Sequence, residues 1–235
     1  MNLAIASVAK LLSNYSNNFT SETVPCIINS FPTKEQFLNN PNSPILILIR
    51  GSSGSGKTTL AEKLVDIFFA NNLFLRSFST DDFFETEHGY VFDASKLVQN
   101  HLKNFLRTYS VISKGKNVCV HNTFIELWEM WSYIALAREL NVHVIIVTMP
   151  PNVKFYSRLP FDLKGTQDCK IRDQIRKNQR IDIKTIWTCT PPVGLSWETI
   201  NKQRKSALEK SYIQNYVKSL DITLDLKLTK MIFRH

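Results

Sequence analysis

Residues 45–58 read ILILIRGSSGSGKT, and this stretch decides the fold. Ile45 to Ile49 is an unbroken apolar run of strand length, delivered by Arg50 into Gly51-Ser52-Ser53-Gly54-Ser55-Gly56-Lys57-Thr58. The spacing G-x-x-x-x-G-K-T between a buried strand and an amphipathic helix marks a phosphate-binding loop. Glycines let the backbone close around a phosphate chain, so that amides from Gly54 to Thr58 face its oxygens at the positive end of a helix. Lys57 supplies charge to the outer phosphates, Thr58 a hydroxyl for Mg²⁺, and Thr59 continues the binding turn.

Outward from this loop, strand-length runs alternate with helical patterns. Thr58 to Ala70 places Leu60, Leu64, Ile67 and Phe68 on one helical face. Leu73 to Phe78 is a second strand, ending at Ser79-Thr80-Asp81-Asp82. Leu97, His101, Leu102, Phe105 and Leu106 mark a helix, and Val118 to Val120 a short strand leading into His121-Asn122-Thr123. Ile125 to Leu140 reads as helix and Val142 to Thr148 as a further buried strand. Such alternation predicts an α/β fold of the P-loop NTPase class, a parallel sheet with helices on both faces, like adenylate kinase and other small kinases.

The flanks are less patterned. Four prolines between Thr20 and Pro44 suggest a connector with a short helix around Lys34 to Leu38. MNLAIASVAKLL lacks a basic lead-in, so a packed or surface helix suits it better than a signal peptide. Cys169 to Asn178 reads as a basic helix, Trp197 to Leu220 as one long helix, and Ile222 to Leu228 as a half-buried strand. The expected division is an N-terminal extension (1–44), a P-loop kinase domain (45–185) with a basic lid at about 153–180, and a C-terminal helix and strand (186–235) completing or appended to the core.

Composition sets bounds. Hydrophobic content of 43% supports a core, and no apolar run approaches the ~20 residues of a membrane helix. Four dispersed cysteines show no C-x-x-C pair, against a zinc site or a disulfide framework. The chain reads as soluble and intracellular, cytoplasmic or nuclear. Its net charge of +9 is uneven: residues 1–150 balance 12 basic against 12 acidic side chains, whereas residues 151–235 carry 17 against 8. This suits a polyanionic partner, or equally a basic solvated surface.

Among nucleotide enzymes, a GTPase needs N-K-x-D, and Asn201-Lys202-Gln203-Arg204 lacks the Asp. A motor-type ATPase needs an acidic strand end to activate water, and the third strand ends in His121. Both absences favour kinase chemistry, with a substrate hydroxyl as nucleophile.

Ser79-Thr80-Asp81-Asp82-Phe83-Phe84, then Gly89-Tyr90-Val91-Phe92-Asp93, Leu97 and His101, then Asn122-Thr123, Trp128-Glu129-Met130 and Tyr133, form a series. With the P-loop, it resembles the polynucleotide kinase-like family that includes the kinase domain of NEDD4-binding protein 2 and is similar in turn to phage-type 5′-polynucleotide kinases. The resemblance covers about residues 45–150. It implies ATP and Mg²⁺ as cofactors and the 5′ end of a nucleic acid as acceptor, with no membrane partner. It also implies that Asp81 orients the acceptor hydroxyl and takes its proton. The alternative for Asp81 is an N-cap. Asp82 has a supporting hydrogen-bond role, Tyr90 and Phe92 pack under the acceptor site or in the core, and His101 is structural.

Two departures qualify the resemblance. The family's third strand carries a carboxylate near its end, where this chain has His121-Asn122-Thr123-Phe124. Asn122 retains hydrogen bonding to a phosphate or sugar, while metal coordination rests on Thr58 and Asp81. The family's lid arginines have a counterpart in Ile175-Arg176-Lys177-Asn178-Gln179-Arg180, displaced by an insertion at about Val153 to Cys169. Arg176 is the candidate for the γ-phosphate, Arg180 second and Arg158 a competitor, against the alternative of a solvated helix face. Trp187 and Trp197 read as packing anchors, with base stacking as the minor alternative. Two rivals stay open: a kinase for a nucleoside, sugar or antibiotic, and a degenerate module that binds nucleotide or RNA without turnover.

Overall fold

The computed structural model describes residues 27–31, 43–149 and 183–234. The expected helices at the N-terminus, around Lys34 to Leu38 and at Cys169 to Asn178, and the lid with Arg158, Arg176 and Arg180, lie outside the described residues. Five strands build the main sheet: β1 (Ile27–Phe31), β2 (Ile45–Arg50), β3 (Leu75–Phe78), β6 (Asn117–His121) and β7 (His143–Thr148), in the order β1-β7-β2-β6-β3. A separate hairpin joins β4 (Glu85–Thr86) to β5 (Gly89–Tyr90). The pairs β2–β6, β2–β7 and β3–β6 are parallel, so β2, β3 and β6 all deliver their C-terminal loops to one edge. This is an α/β P-loop NTPase fold.

The period-two geometry of β2 divides the core in two. Ile45, Ile47 and Ile49 face helix α1 (Lys57–Ala70), packing on Leu60, Leu64 and Phe68. Leu46 and Leu48 face the other way, into a larger cluster with α2 (Leu97–Ile112) and α3 (Trp131–Leu140). Four further helices follow: α4 (Ile183–Thr188), α5 (Trp197–Leu208), α6 (Ser211–Ser219) and α7 (Leu226–Ile232). Side chains of all four reach the larger cluster, through Ile186, Leu208, Ile213 and Met231 among others.

Four local expectations are corrected. The connector holds a strand: β1 pairs antiparallel with β7, from Ile27 opposite Thr148 to Phe31 opposite Val144. Flanking Pro25 and Pro32 suggest a loop, but an edge strand tolerates them at its ends. Ile125 to Leu140 is not one helix. A 3₁₀ turn at Leu127–Met130 precedes α3, because Glu126 and Glu129 form a reciprocal capping box. The single helix over Trp197 to Leu220 breaks at Lys210, whose backbone is extended. Ile213 and Gln214 then donate to the Lys210 carbonyl, and the Gln214 side chain donates to that of Leu208, replacing helical bonds lost at the turn. The strand over Ile222 to Leu228 is instead coil leading into α7. Asp225 caps it by accepting from the Leu228 amide at 2.7 Å. Leu228, Met231 and Ile232 are buried at helical spacing, while Leu226 is 73% exposed, so the alternation does not describe a buried face.

Trp131 ties the C-terminal segment to α3. Its ring stacks on Trp187 at 5.6 Å and contacts Trp197 at 5.4 Å, with Arg138 over Trp187 at 3.9 Å and Arg234 over Trp197 at 4.7 Å. Both outer tryptophans are therefore packing anchors. Trp131→Ala is expected to cost about 3–5 kcal/mol in urea unfolding and to erase the near-ultraviolet circular dichroism of the coupled indoles.

Candidate active site

Between β2 and α1 the chain turns through three glycines. Gly56 takes a left-handed φ of 88° at the N-cap of α1, which has no side-chain cap, so the helix presents its positive end to whatever the loop encloses. Gly51 is required by close approach: a Cβ there would lie 2.7 Å from Ser55 Oγ and 2.8 Å from Met149 Cβ. The Lys57 ammonium donates to the carbonyls of Gly51 at 3.0 Å and Ser52 at 2.8 Å, holding it at the loop. The Ser55 hydroxyl is buried with no hydrogen-bond partner among the described residues. An orphaned hydroxyl, an ammonium and an uncapped helix end together fit a chain of phosphates. Thr58 and Thr59 stand exposed on the first turn of α1. Among the described residues no three His, Cys, Asp or Glu side chains gather around a metal. Magnesium fits this site as an ion held by one protein hydroxyl, phosphate oxygens and water.

The chain leaving β3 folds into a 3₁₀ turn, Thr80–Phe84. Ser79, not Asp81, is its N-cap: Ser79 Oγ accepts from the Asp81 amide, and Asp82 accepts from the Ser79 amide at 3.0 Å. Arg107 of α2 pins the turn from outside, donating to Asp82 and to the Ser79 carbonyl, both at 2.6 Å, while its guanidinium covers Phe83 at 4.4 Å. Thr80 Oγ1 meets His101 Nδ1 at 3.1 Å. Burial and neighbouring Arg204 hold the His101 pKa down to about 4, so the ring is neutral near pH 7 and structural. Within this braced turn Asp81 receives the Tyr90 hydroxyl at 3.2 Å, from the strand that follows. Tyr90 thus contacts the candidate base directly, while Phe92 packs on Phe84 at 5.2 Å.

Two adjacent residues after β6 anchor both loops. The Thr123 carbonyl accepts from the Gly51 amide at 3.1 Å, and Asn122 Oδ1 accepts from the Thr80 amide at 2.8 Å. With only β6 between β2 and β3, the two loops start about 10 Å apart along the same edge. Asn122 thereby spends its oxygen on the Asp81 turn, and its buried Nδ2 has no partner among the described residues. Behind the clamp lies Arg50, fully buried at the end of β2, where a charged residue reads from sequence as solvent-facing. Its Nε donates to the Phe124 carbonyl at 3.1 Å, and desolvation lowers its pKa to about 10 despite Glu129 and Glu126 nearby. The Glu129 carboxyl is pushed up to about 7, chiefly by burial, against its hydrogen bonds from the Glu126 and Ile125 backbone and the attraction of Arg50. Arg50, Arg107 and Glu129 escape sequence reading as site residues because none sits in a motif with its partners.

Comparison with known proteins agrees with this geometry. Residues 46–158 match a family described as an AAA domain. NEDD4-binding protein 2 of Homo sapiens is 33% identical over 102 residues, which is 43% of this chain and 6% of that protein. The chain therefore spans a small fraction of the curated relative it matches. Both matches support a P-loop, kinase-like family with nucleotide binding and phosphotransfer as its general chemistry.

Because the Glu129 carboxyl binds its proton more tightly in the folded state than its ordinary value of 4.5, the folded state loses stability as pH rises from 4.5 through about 7. His101 runs the other way: its contribution is present above 6.5 and lost as pH falls toward 4. Thermal melts of Glu129→Gln against the unmutated protein should isolate the first effect. The variant should melt higher at pH 8 than the unmutated protein, with the gap closing toward pH 5.

Proposed function

We propose that this protein is an ATP- and Mg²⁺-dependent kinase that transfers the γ-phosphate to the 5′-hydroxyl of a nucleic acid. The observation that carries the reading is the clamp of Asn122 and Thr123, which holds the phosphate loop and the Asp81 turn side by side. The similarity to NEDD4-binding protein 2 and the basic excess beyond residue 150 support the nucleic-acid acceptor.

In this mechanism the loop from Gly51 through Ser52, Ser53, Gly54, Ser55 and Gly56 to Thr59 cradles the phosphates with its amides. Lys57 follows the charge that builds on the transferred group. Thr58 and, on the acceptor side, Asp81 would hold a magnesium ion, which would neutralise phosphate oxygens when bound. Tyr90 donates to one Asp81 oxygen at 3.2 Å, which steadies the carboxylate proposed to orient the acceptor hydroxyl. The hydroxyl oxygen bonds to the γ-phosphorus as its proton passes to Asp81 and the bond to the departing diphosphate breaks. Arg176, with Arg180 as the second candidate, is proposed to neutralise the charge on the migrating phosphoryl group.

The second reading is a binding module without turnover, favoured by β6 ending in His121, with Asn122 next, where a carboxylate is expected. Transfer of labelled phosphate from ATP to 5′-hydroxyl oligonucleotides separates the two. Asp81→Asn should lower kcat by roughly 10²–10⁴ with ATP binding retained, and acceptor affinity should fall steeply with salt. ATP binding with no transfer from the unmutated protein to any acceptor overturns the kinase reading. Efficient, salt-independent transfer to a small neutral alcohol moves the acceptor class instead.

A further inference from the structure

A cavity of about 310 Å³ lies between α2, the 3₁₀ turn with the start of α3, and the C-terminal helices α5 and α7, at the lower end of the range for ligand pockets. Much of its wall is apolar, with Leu102 and Phe105 of α2 and Ile200 of α5 buried around it. Among the described residues that line it, none belongs to the phosphate loop.

Arg204 of α5 brings a positive charge to this wall. One of its N–H groups donates at 2.6 Å to the carbonyl of Ile232, the last residue of α7, where a cation also complements the helix dipole. That cap leaves the rest of the guanidinium fork without an acceptor, and no carboxylate pairs with it among the described residues. Burial lowers its pKa only to about 10, so it stays charged near pH 7. A cation withdrawn from water with no counter-charge is costly to keep. Two neutral donors stand with it. The Tyr133 hydroxyl accepts from Asn104 at 3.0 Å and has no acceptor for its own hydrogen among the described residues. His101 meets Thr80 through Nδ1 and lines the cavity as well. The Arg204 charge acts on both groups, so the three share one end of the cavity.

These groups call for an anion, and the remaining acid on the wall limits its charge. The Glu129 carboxyl also lines the cavity, but it accepts from the Glu126 and Ile125 amides, and the charges acting on it are Glu126 and Arg50 rather than Arg204. A single negative charge balances the single guanidinium, whereas a phosphate monoester brings nearly two and adds repulsion from Glu129. A carboxylate also offers the planar pair of oxygens that a guanidinium fork matches. An uncharged apolar molecule would leave the guanidinium unpaired.

We infer that this cavity binds a small monocarboxylic acid with an apolar body, its carboxylate paired with Arg204 and its hydrocarbon part set among Leu102, Phe105 and Ile200. The site goes beyond the kinase reading and stands whether or not that reading does. Ile200 and Arg204 lie outside the residues matched to the AAA-domain family, so the C-terminal helices supply the recognition.

Isothermal titration calorimetry of the full chain at pH 7 tests this with hexanoate and 3-phenylpropionate, each against its own amide, and with phenyl phosphate and inorganic phosphate. At least one acid should bind about tenfold or more tightly than its amide and than either phosphate compound. Whether the aliphatic or the aromatic acid binds better identifies the body that the cavity prefers. Saturating ATP should leave that affinity unchanged, because the phosphate loop takes no part. Arg204→Gln should lose the advantage of acid over amide while its amide affinity stays the same. Ile200→Trp, which fills the cavity, should abolish acid binding with circular dichroism and ATP affinity intact, and it decides the matter should Arg204→Gln fail to fold. Equal binding of acid and amide overturns the inference, as do failure of both acids to bind, tighter binding of phenyl phosphate, displacement of the acid by ATP, and an acid preference retained by Arg204→Gln.

Discussion

Two neighbouring residues hold the chemistry of this molecule in register. The Thr123 carbonyl fixes the start of the phosphate loop and the Asn122 carboxamide fixes the turn carrying Asp81, from consecutive positions just after the strand between them. Parallel pairing brings both loops to the same edge, but pairing alone leaves them mobile beyond the last ladder bond. Hydrogen bonds buried at a strand end, where water does not compete, convert that proximity into a set distance. Arg50 backs the clamp by bonding the chain two residues further on, and Phe124 takes a left-handed φ of 44° to present its carbonyl there.

This arrangement sets the two loops side by side with no carboxylate at the end of β6. A carboxylate at the head of β6 would repel Asp81 and would attract metal. An amide does neither, yet it accepts the same backbone hydrogen bond that positions the turn. Asn122 therefore positions the turn without placing a second negative charge beside Asp81. Arg107 illustrates the same economy: it braces the turn through Asp82 and aromatic faces, and so leaves the neighbouring carboxylate outside its ion pair.

The parts legible in the sequence are those in which local pattern and function coincide. The phosphate loop could be read because glycine spacing, an apolar strand and an amphipathic helix occupy one continuous stretch. The role proposed for Asp81 rests on the series that follows it, since an acidic pair after a strand is also the signature of a cap, and here the cap is Ser79 with Asp82. The roles of Arg50, Arg107 and Asn122 depend on partners 25 to 74 positions away, which no periodicity encodes. The C-terminal segment misled for a different reason. Alternation over Ile222 to Leu228 and continuity over Trp197 to Leu220 were both genuine patterns, overruled by the Asp225 cap and by the turn at Lys210.

The outer strands of the sheet carry a consequence for behaviour in concentrated solution. An unpaired strand rim is a template on which a second chain can add. Among the described residues the antiparallel β1 is itself one rim, a five-residue segment bracketed by prolines. On the opposite rim β3 has only four residues, and the cations of Arg76 and Lys116 hover 5.9 Å from the Phe74 ring at its mouth. Brevity and positive charge there discourage self-association by strand addition, as shortness and flanking prolines do on the first rim.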